Sequence, residues 1–285
     1  HLVMEKLAEY ENMPKLVNIL EPGKPLNLGK LTITSTRISH SIPDATNLII
    51  KTPVGTVYHG SDFKFDFTPV DGVKPDVGNI AAAGNAGIQL LLSDSLGSER
   101  KGHTPSEKTL DEMFEREMSH ANGKVIVTTM SSNISRFKQA ADAAIRHGRR
   151  IAILGRSIER NIRVATTLGY LKIPQNIFLD PKDIRKYPAK NVCIFAAGSQ
   201  GQSGSAMERI AQGEHREVTL KPDDKVIFSS DYIPGSETAV QSLIDSLSKI
   251  GVTVVYSEIT DKLHVSGHGS QQDLLLMMSL TRPKY

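Results

Sequence analysis

Four short apolar runs alternate with stretches of helical length between residues 124 and 251, and this alternation limits the possible folds more than any other feature of the chain. The runs are KVIVTTM, RRIAILG, NVCIFAAG and KVIFSSD. The helical stretches after them stop at glycines, the usual residue just past the end of a helix: Gly148, Gly169, Gly213 and Gly251. Strands that alternate with helices form βαβ units, so the pattern predicts a mostly parallel sheet covered by helices.

The N-terminal third has a different pattern. The stretches KLTITSTRIS, TNLIIKTP and GTVYHGSDF are bounded by Gly and Pro and predict strands, and IQLLLSDS is typical of a buried strand. LVMEKLAEY, near the N-terminus, is helix-like. At Thr104 the pattern changes again: Thr104 as N-cap, Pro105 in the first helical position and Glu107 as the partner in a capping box predict that a helix begins there.

Composition indicates the class of protein and the cell compartment to be expected. Among the 285 residues, 39% are hydrophobic and 23% are charged, as in soluble globular proteins. No apolar run approaches the roughly 20 residues that span a bilayer and no secretory signal opens the chain, so we expect a cytoplasmic protein without a membrane partner. The single cysteine, Cys193, lies in an apolar run, which predicts a buried, inert thiol and excludes an internal disulfide.

His40 and Asp62 each lie at the end of a predicted strand, and imidazole and carboxylate are the usual ligands of a hydrolytic zinc centre. Two such residues do not make a site, because a catalytic zinc takes about three protein ligands and a two-metal site takes more. A surface histidine and an aspartate that caps a turn are the alternative.

Asp94 lies just after the apolar run IQLLL, where an unpaired carboxylate is costly. Two interpretations stay open for it. The carboxylate accepts hydrogen bonds from the turn that follows, or it has a catalytic role.

Small polar residues follow the first apolar run of the alternating region, where a helix is predicted to begin: Ser131, Ser132, Asn133 and Ser135, with Arg136 next. Helix N-termini carry free N–H groups and positive potential, which attract phosphate. Plain capping by Ser132 or Asn133 is the alternative, and it leaves the other residues unexplained. Neither this stretch nor the similar AAGSQGQSGS matches the Walker or GxGxxG motif, so phosphate contact of another kind is favoured over a nucleotide cofactor.

The stretch LHVSGHGSQQD holds two histidines four residues apart. His264 and Val265 are predicted to lie in a strand, with a structural role for His264. Gly267 and Gly269 allow a sharp turn and a close approach to a ligand, and the serine that follows is expected to cap the last helix, whose N-terminus can face a phosphate. The two histidines are not expected to bind one metal together, because zinc ligation by residues i and i+4 works on a helix and not across a glycine-rich turn.

Seven stretches of the chain occur together in one order: HSIPDA, SDFKFD with DFTPVDG, LLSDS with ER and TPSE, SSNISR, GSQG with SAMERIAQGEH, YIPG, and HVSGHGSQQDL. Through them, from about residue 20 to the end, the chain resembles the ribonuclease J family, in the β-CASP group of the metallo-β-lactamase superfamily. So many ordered matches are far more specific than a single motif.

The resemblance implies an α/β fold: a metallo-β-lactamase αββα sandwich, partial in this chain, with an inserted β-CASP domain of parallel βα units. It assigns residues 1–105 and 263–285 to the metallo-β-lactamase domain and residues 106–262 to the β-CASP domain. It also implies a ribonuclease that uses two zinc ions, or manganese, and acts on RNA as a 5′-to-3′ exonuclease and an endonuclease. Such a protein is expected to form a homodimer or homotetramer.

The same resemblance assigns residue roles. His40 is a metal ligand, Asp62 bridges the two metals, and Asp94 and His268 are the acid and the histidine of two β-CASP motifs. Paired with Asp94, His268 protonates the leaving oxygen as a general acid. The loops SSNISR and SGHGS form the surface for RNA phosphates, and the residues assigned to it are Ser131, Ser132, Asn133, Arg136, Ser266, Gly267 and Ser270.

The chain also departs from the family pattern. The HxHxDH motif, which supplies most metal ligands, is absent from the sequence, the last ligand histidine would lie shortly after the final residue, and Ser61 stands where glycine is usual. We therefore expect an internal part of a longer protein, with poor metal binding and weak or no activity on its own. A non-catalytic RNA-binding module is the alternative function. A small-molecule hydrolase such as a lactonase is disfavoured by the long middle domain with its phosphate-type loops.

Overall fold

The computed structural model describes residues 2–7, 10, 17–257 and 264–285. The chain divides into two compact units. Unit one comprises His1–Lys108 and Ser266–Tyr285, and unit two, Thr109–Val265, is inserted between them. The sequence prediction placed the two boundaries after residues 105 and 262.

The described ranges contain eight α-helices: α1 (Leu2–Leu7), α2 (Val77–Ala86), α3 (Asp111–Ser119), α4 (Ile134–Arg146), α5 (Arg156–Thr167), α6 (Ala206–Ala211), α7 (Glu237–Ile250) and α8 (Gln271–Thr281). They also contain eleven strands: β1 (Leu26–Leu28), β2 (Leu31–Arg37), β3 (Thr46–Thr52), β4 (Gly55–His59), β5 (Leu90–Leu92), β6 (Val125–Thr128), β7 (Arg150–Leu154), β8 (Phe178–Leu179), β9 (Val192–Ala196), β10 (Lys225–Phe228) and β11 (Thr253–Val255). Among the described helices, none is both long and apolar enough to cross a membrane.

Unit one is built on a five-stranded sheet in the order β1-β2-β3-β4-β5. Neighbouring strands are antiparallel except β4 and β5, which are parallel. Successive side chains of a strand point to opposite faces, so Ile49 of β3 and its partner Tyr58 of β4 share one face. On that face they belong to a buried cluster with Ile80 of α2 and Met277 of α8.

The other face of this sheet, which includes Leu48, Ile50 and Leu92, is only partly covered in the described residues, and Leu92 is 47% exposed. The prediction of a buried strand at IQLLL is therefore wrong: β5 pairs only with β4 among the described strands and forms the edge of the sheet. With helices on one face of its sheet, unit one supplies one α and one β layer of the predicted sandwich.

Unit two is a six-stranded sheet in the order β11-β10-β6-β9-β7-β8, and all its neighbouring strands run parallel. Strands β6 and β9 are buried along their whole length, which explains why their runs are apolar without alternation. Phe137 of α4 packs with Val127 in one buried cluster, and Met207 of α6 packs with Ile126 in another. The predicted α/β class, with an inserted unit of parallel βα elements, is confirmed.

The helix predicted from Thr104 begins later than expected. Residues Glu107–Leu110 form a 3-10 helix, and α3 follows it. The N–H of Thr104 donates to the carboxylate of Asp273 (2.8 Å) and the N–H of Glu107 donates to that of Asp66 (3.0 Å). These distant carboxylates bind the two amides that a capping box would have used, so the predicted box does not form.

The strand predicted to include His264 and Val265 is also absent at those two residues. The strand β11 ends at Val255, and residues 258–263 lie outside the described residues. The side chain of Val265 is buried in the core of unit two.

Candidate active site

Three predicted site residues follow strands at one edge of the sheet of unit one. The strands β2 and β5 both run parallel to β4, so the carboxyl ends of all three meet at this edge. His40 follows β2, Asp62 follows β4 and Asp94 follows β5. His268, in the loop before α8, joins them, with its ring centroid 5.1 Å from that of His40 in an edge-on arrangement. The fold therefore brings together all four residues assigned to metal binding and catalysis.

Asp94 and His268 form the closest pair of the site. Oδ2 of Asp94 lies 2.7 Å from Nδ1 of His268, and the aspartate side chain is 5% exposed. Oδ1 of Asp94 accepts from the N–H of Leu96 at 2.9 Å. Burial alone would raise the pKa of Asp94, but hydrogen bonds from His268 and Leu96 outweigh it and lower that pKa. The same bond raises the pKa of His268 against the opposing effect of burial, so the pair favours an imidazolium held by a carboxylate.

The neutral form of His40 is favoured, in contrast to His268. Its Nδ1 lies 2.8 Å from the carbonyl oxygen of Gly267. A carbonyl oxygen only accepts, so Nδ1 carries a proton and Nε2 of the neutral ring presents a lone pair. Burial lowers the pKa of His40, and the nearby charge of His268 lowers it further. A neutral imidazole oriented by a backbone carbonyl is the form that binds a metal.

The donor atoms of His40, Asp62 and His268 all lie within 4.8 Å of one another. Nε2 of His40 is 3.9 Å from Oδ2 of Asp62, whose side chain is 64% exposed. Two imidazole nitrogens and a carboxylate oxygen are a donor set that suits zinc, so these residues fit the metal that the resemblance implies. Nδ1 of His268 is engaged by Asp94, which leaves Nε2 as the atom that either binds a metal or donates a proton. Sequence reasoning had named His40 and Asp62 as ligands and His268 only as an acid.

Gly267 is required at its position by the neighbouring imidazole. A Cβ on Gly267 would lie 2.8 Å from Cε1 and 2.9 Å from Nδ1 of His40. Neither Gly267 nor Gly269 has a positive φ, so a sharp turn does not explain these glycines as expected. Close packing explains them instead, because a side chain at either position would collide with its neighbours. Ser266 completes the turn, because its Oγ accepts from the N–H of His268 at 3.1 Å.

The first N–H groups at the N-terminus of α8 are bonded within the protein, so they do not form the expected phosphate site. Ser270 caps the helix as predicted, in a capping box with Asp273. The N–H of Ser270 donates to Thr104 and Asp273, and the next two N–H groups donate to the carbonyls of Arg100 and Gly102. With its hydroxyl 3.0 Å from that of Thr104, Ser270 is buried and internally bonded, so its assignment to the phosphate surface is corrected. Gly267 is buried as well, and Ser266 alone of these three is partly exposed.

Two residues that sequence reasoning missed support the loop of His268. The hydroxyl of Thr104 donates to the carbonyl oxygen of His268 at 2.9 Å. Gly97 bridges to Ser270, and a Cβ there would lie 2.1 Å from the carbonyl oxygen of Gly269. The role of Gly97 could have been suspected from the sequence, because it is a lone glycine in the turn after Asp94. Thr104 had instead been interpreted as a helix cap.

The second predicted phosphate loop belongs to unit two, between β6 and α4. Ser131 and Ser132 are partly exposed there. Asn133 is buried and caps α4, because its side chain accepts from the N–H of Arg136 at 3.0 Å. Asn133 is thus the plain cap that was the alternative interpretation, while phosphate contact by the two serines stays a prediction.

The predicted phosphate contact of Arg136 is wrong in this structure. The residue is 0% exposed, and its Nη1 donates to the carbonyl oxygen and, at 3.1 Å, to the hydroxyl of Ser229. Its Nη2 donates to the carbonyl oxygen of Val265 at 3.1 Å, and Nη1 lies 3.3 Å from Nδ1 of His264. The guanidinium is enclosed by these partners and cannot reach solvent.

Comparison with known proteins finds that the chain is similar to bacterial proteins named ribonuclease J. Residues 122–247 match the family model described as the ribonuclease J β-CASP domain. Ribonuclease J of Helicobacter pylori is 42% identical over 279 residues, which cover 98% of this chain and 40% of that protein. Ribonuclease J of Thermus thermophilus is 39% identical over 287 residues, and ribonuclease J2 of Bacillus subtilis is 38% identical over 285. The chain covers 50% and 51% of the latter two, so it spans about half the length of the curated relatives it matches.

One solved structure shares the fold at low sequence identity. The crystal structure of a protein of unknown function from Enterococcus faecalis superposes with a TM-score of 0.63 at 15% identity. The match covers 95% of this chain and 61% of that one. At this identity the likeness concerns the fold alone.

Proposed function

We propose that the protein, as a member of the ribonuclease J family that its relatives indicate, hydrolyses phosphodiester bonds of RNA with the help of bound metal ions. The substrate is RNA, and the protein acts on it both as a 5′-to-3′ exonuclease and as an endonuclease. One observation carries the proposal: the Asp94–His268 pair lies beside His40 and Asp62.

His40 and Asp62 would hold the metal, zinc or manganese. The neutral ring of His40 would offer Nε2 to the metal, and the exposed carboxylate of Asp62 would offer an oxygen. When bound, such an ion supplies Lewis acidity that polarises a phosphoryl oxygen and makes a water molecule more acidic. A two-metal site needs more ligands than these, so we expect this chain by itself to bind metal poorly and to be weakly active or inactive.

His268 acts as the general acid. The bond to Asp94 raises the pKa of His268 and so favours the protonated ring, and Asp94 holds Nδ1 so that Nε2 carries the proton to be donated. Transfer of that proton to the leaving oxygen of the phosphodiester turns an alkoxide into a neutral alcohol. The buried carboxylate of Asp94 stabilises the imidazolium before transfer and fixes the orientation of the ring.

RNA phosphates contact the partly exposed Ser131 and Ser132, which lie on the surface of unit two. Ser266, in unit one, is also partly exposed and offers a separate hydroxyl to a phosphate. These hydroxyls donate to phosphate oxygens without reading base edges, so the contact is independent of sequence. Arg136, Asn133 and Ser270 are left out of this surface because they are buried.

The test is hydrolysis of 5′-labelled single-stranded RNA by the whole protein in the presence of zinc or manganese. We expect stepwise loss of nucleotides from the 5′ end, internal cuts, and loss of both after removal of metal by a chelator. His40→Ala should abolish both reactions and reduce bound metal, measured by elemental analysis. If the whole protein binds RNA tightly but leaves it intact with every metal supplied, a non-catalytic RNA-binding module replaces this proposal.

A further inference from the structure

We propose that Arg136 is a positioning residue for the proposed reaction: it fixes the peptide at His264 and Val265, directly before the loop of His268, and never touches RNA. This inference rests on the proposed function for its effect on turnover. Its structural part, the fixing of the peptide, stands on contacts within unit two alone.

The contacts of Arg136 converge on one short peptide. Nη2 donates to the carbonyl oxygen of Val265, and Nη1 reaches Nδ1 of His264. Nη1 also donates to Ser229, which follows β10, so the side chain ties α4 to the end of that strand and to the peptide. Arginine suits this task because its planar fork presents donors in a fixed geometry, which a lysine ammonium does not.

The same peptide is held from two further directions. The side chain of Val265 is buried in the core of unit two. Nε2 of His264 lies 3.5 Å from Oδ2 of Asp231. Since Nδ1 of His264 faces the donor N–H of Arg136, the proton of the neutral ring belongs on Nε2, where it can donate to Asp231. A buried arginine fully bonded in this way is costly to rearrange, so the peptide has one preferred position.

The position of Val265 matters because the next three residues carry the chemistry. Ser266 accepts from the N–H of His268, and the carbonyl of Gly267 holds the ring of His40. A shift of the carbonyl of Val265 therefore passes along the chain into the turn that aims His268. Misplacement of a catalytic group by about 1 Å can cost on the order of 100-fold in rate.

Arg136→Lys in the whole protein tests the inference, because lysine keeps the charge and loses the fork. We expect kcat to fall about tenfold or more while KM stays near the wild-type value, since RNA contacts are unchanged. The salt dependence of RNA affinity should also stay unchanged. A residue that contacts phosphate would instead make the slope shallower by roughly one unit.

Arg149→Lys is the matched control. Arg149 is also buried in unit two, at 3% exposure, and donates to the backbone carbonyls of Gly123, Ala121 and Val192. Its loss should destabilise unit two by a similar amount, measured by urea unfolding, without touching the peptide before Ser266. We expect kcat of this variant to equal that of the wild type at temperatures where both are folded.

Hydrogen exchange of the backbone amides of residues 264–270 gives a readout that does not depend on activity. Exchange there should be faster in Arg136→Lys than in the wild type and in Arg149→Lys. If Arg136→Lys does not fold, His264→Gln and Asp231→Asn serve in its place. Each removes the contact between His264 and Asp231, which is more exposed than Arg136, and should cause the same faster exchange at residues 264–270.

The outcomes separate the two proposals. If the wild-type protein does not hydrolyse RNA, the proposed function fails, and exchange at residues 264–270 decides the structural part of this inference. If the wild type is active and both arginine variants lose turnover in proportion to their loss of stability, the positioning role is overturned. A shallower salt slope or unchanged exchange in Arg136→Lys overturns it as well.

Discussion

His268 and Asp94 are 174 residues apart in the chain, yet Nδ1 of one lies 2.7 Å from Oδ2 of the other. The pair joins the edge strand of the sheet of unit one to the loop before α8. A carboxylate that is nearly excluded from water and an imidazole with a raised pKa stabilise each other's charged form. The pair therefore contributes to folding as well as to the proposed chemistry, and the two contributions can be measured separately.

Asp94→Asn tests the folding contribution. The pKa of His268 is raised above its ordinary 6.5, so the stabilisation from its charge is complete below pH 6.5 and is lost as the pH rises through the raised pKa. The pKa of Asp94 is lowered from 3.8, so its share is present above pH 3.8 and is lost as the pH falls through the lowered pKa. We expect Asp94→Asn to cost about 1.5–3 kcal/mol between these limits and less at alkaline pH, as for other charged hydrogen bonds.

Urea unfolding of wild type and Asp94→Asn at a series of pH values measures this difference. Asp62→Asn is the control, because Asp62 is exposed and its loss should change stability little at any pH. A stability difference for Asp94→Asn that does not vary with pH would mean that the pair is not charged in the folded state.

His268→Ala separates the general acid from a metal ligand. As an acid, His268 contributes on the order of a hundredfold to turnover, so the variant should lose about that much while bound zinc and RNA affinity stay near wild type. The close approach of the donor atoms of His268, His40 and Asp62 makes ligation the competing role. Zinc content after dialysis and single-turnover rates in the whole protein decide between them. Loss of zinc together with activity would assign His268 as a ligand.

The parallel sheet of unit two was predictable from the sequence because its central strands are buried on both faces. The runs at Val125–Thr128 and Val192–Ala196 are apolar at nearly every position, and glycines end the helices between the strands. Local pattern was sufficient there because each element agrees with its own intrinsic preference. Helix α2 was missed for the opposite reason: VGNIAAAGNA is rich in small residues and shows no apolar period.

The roles of the site residues were predictable only through the family resemblance. The wrong predictions for residues near the site share one physical cause. Thr104 and Arg136 were both read from their neighbours in sequence, as a helix cap and as a phosphate ligand. Their actual partners, Asp273 and Val265, lie 169 and 129 residues further along the chain. A local pattern contains no information about such partners, so the donor groups were assigned to the wrong acceptors.

Gly84→Ala should destabilise unit one. A Cβ at Gly84 would lie 2.0 Å from the carbonyl oxygen of Leu280, so α2 and α8 would have to separate. Overpacking of this kind costs about 1–3 kcal/mol. Gly78→Ala, in the same helix, is the matched control, because the nearest atom to a Cβ there is a side-chain oxygen of Asp76 at 3.8 Å. It should be neutral or stabilise by about 0.5–1 kcal/mol, since alanine is the better helix residue. Thermal unfolding measures both, and equal midpoints for the two variants would contradict the close packing of the helices.

Gly267→Ala should disturb the proposed metal site through His40. A Cβ at Gly267 would lie 2.8 Å from Cε1 of His40. The ring would therefore have to move, or the hydrogen bond between Nδ1 of His40 and the carbonyl oxygen of Gly267 would have to break. Either change removes the bond that presents Nε2 to a metal, and loss of such a supporting bond typically lowers metal affinity about 10- to 100-fold.

Competition with a fluorescent zinc chelator in the whole protein measures this affinity. Gly78→Ala also adds one methyl group to unit one, far from His40 in sequence and with its nearest neighbouring atom at 3.8 Å, and should leave zinc affinity unchanged. If Gly267→Ala binds zinc as tightly as this control, the contact between Gly267 and His40 has no role in metal binding, and His40 is oriented by other groups.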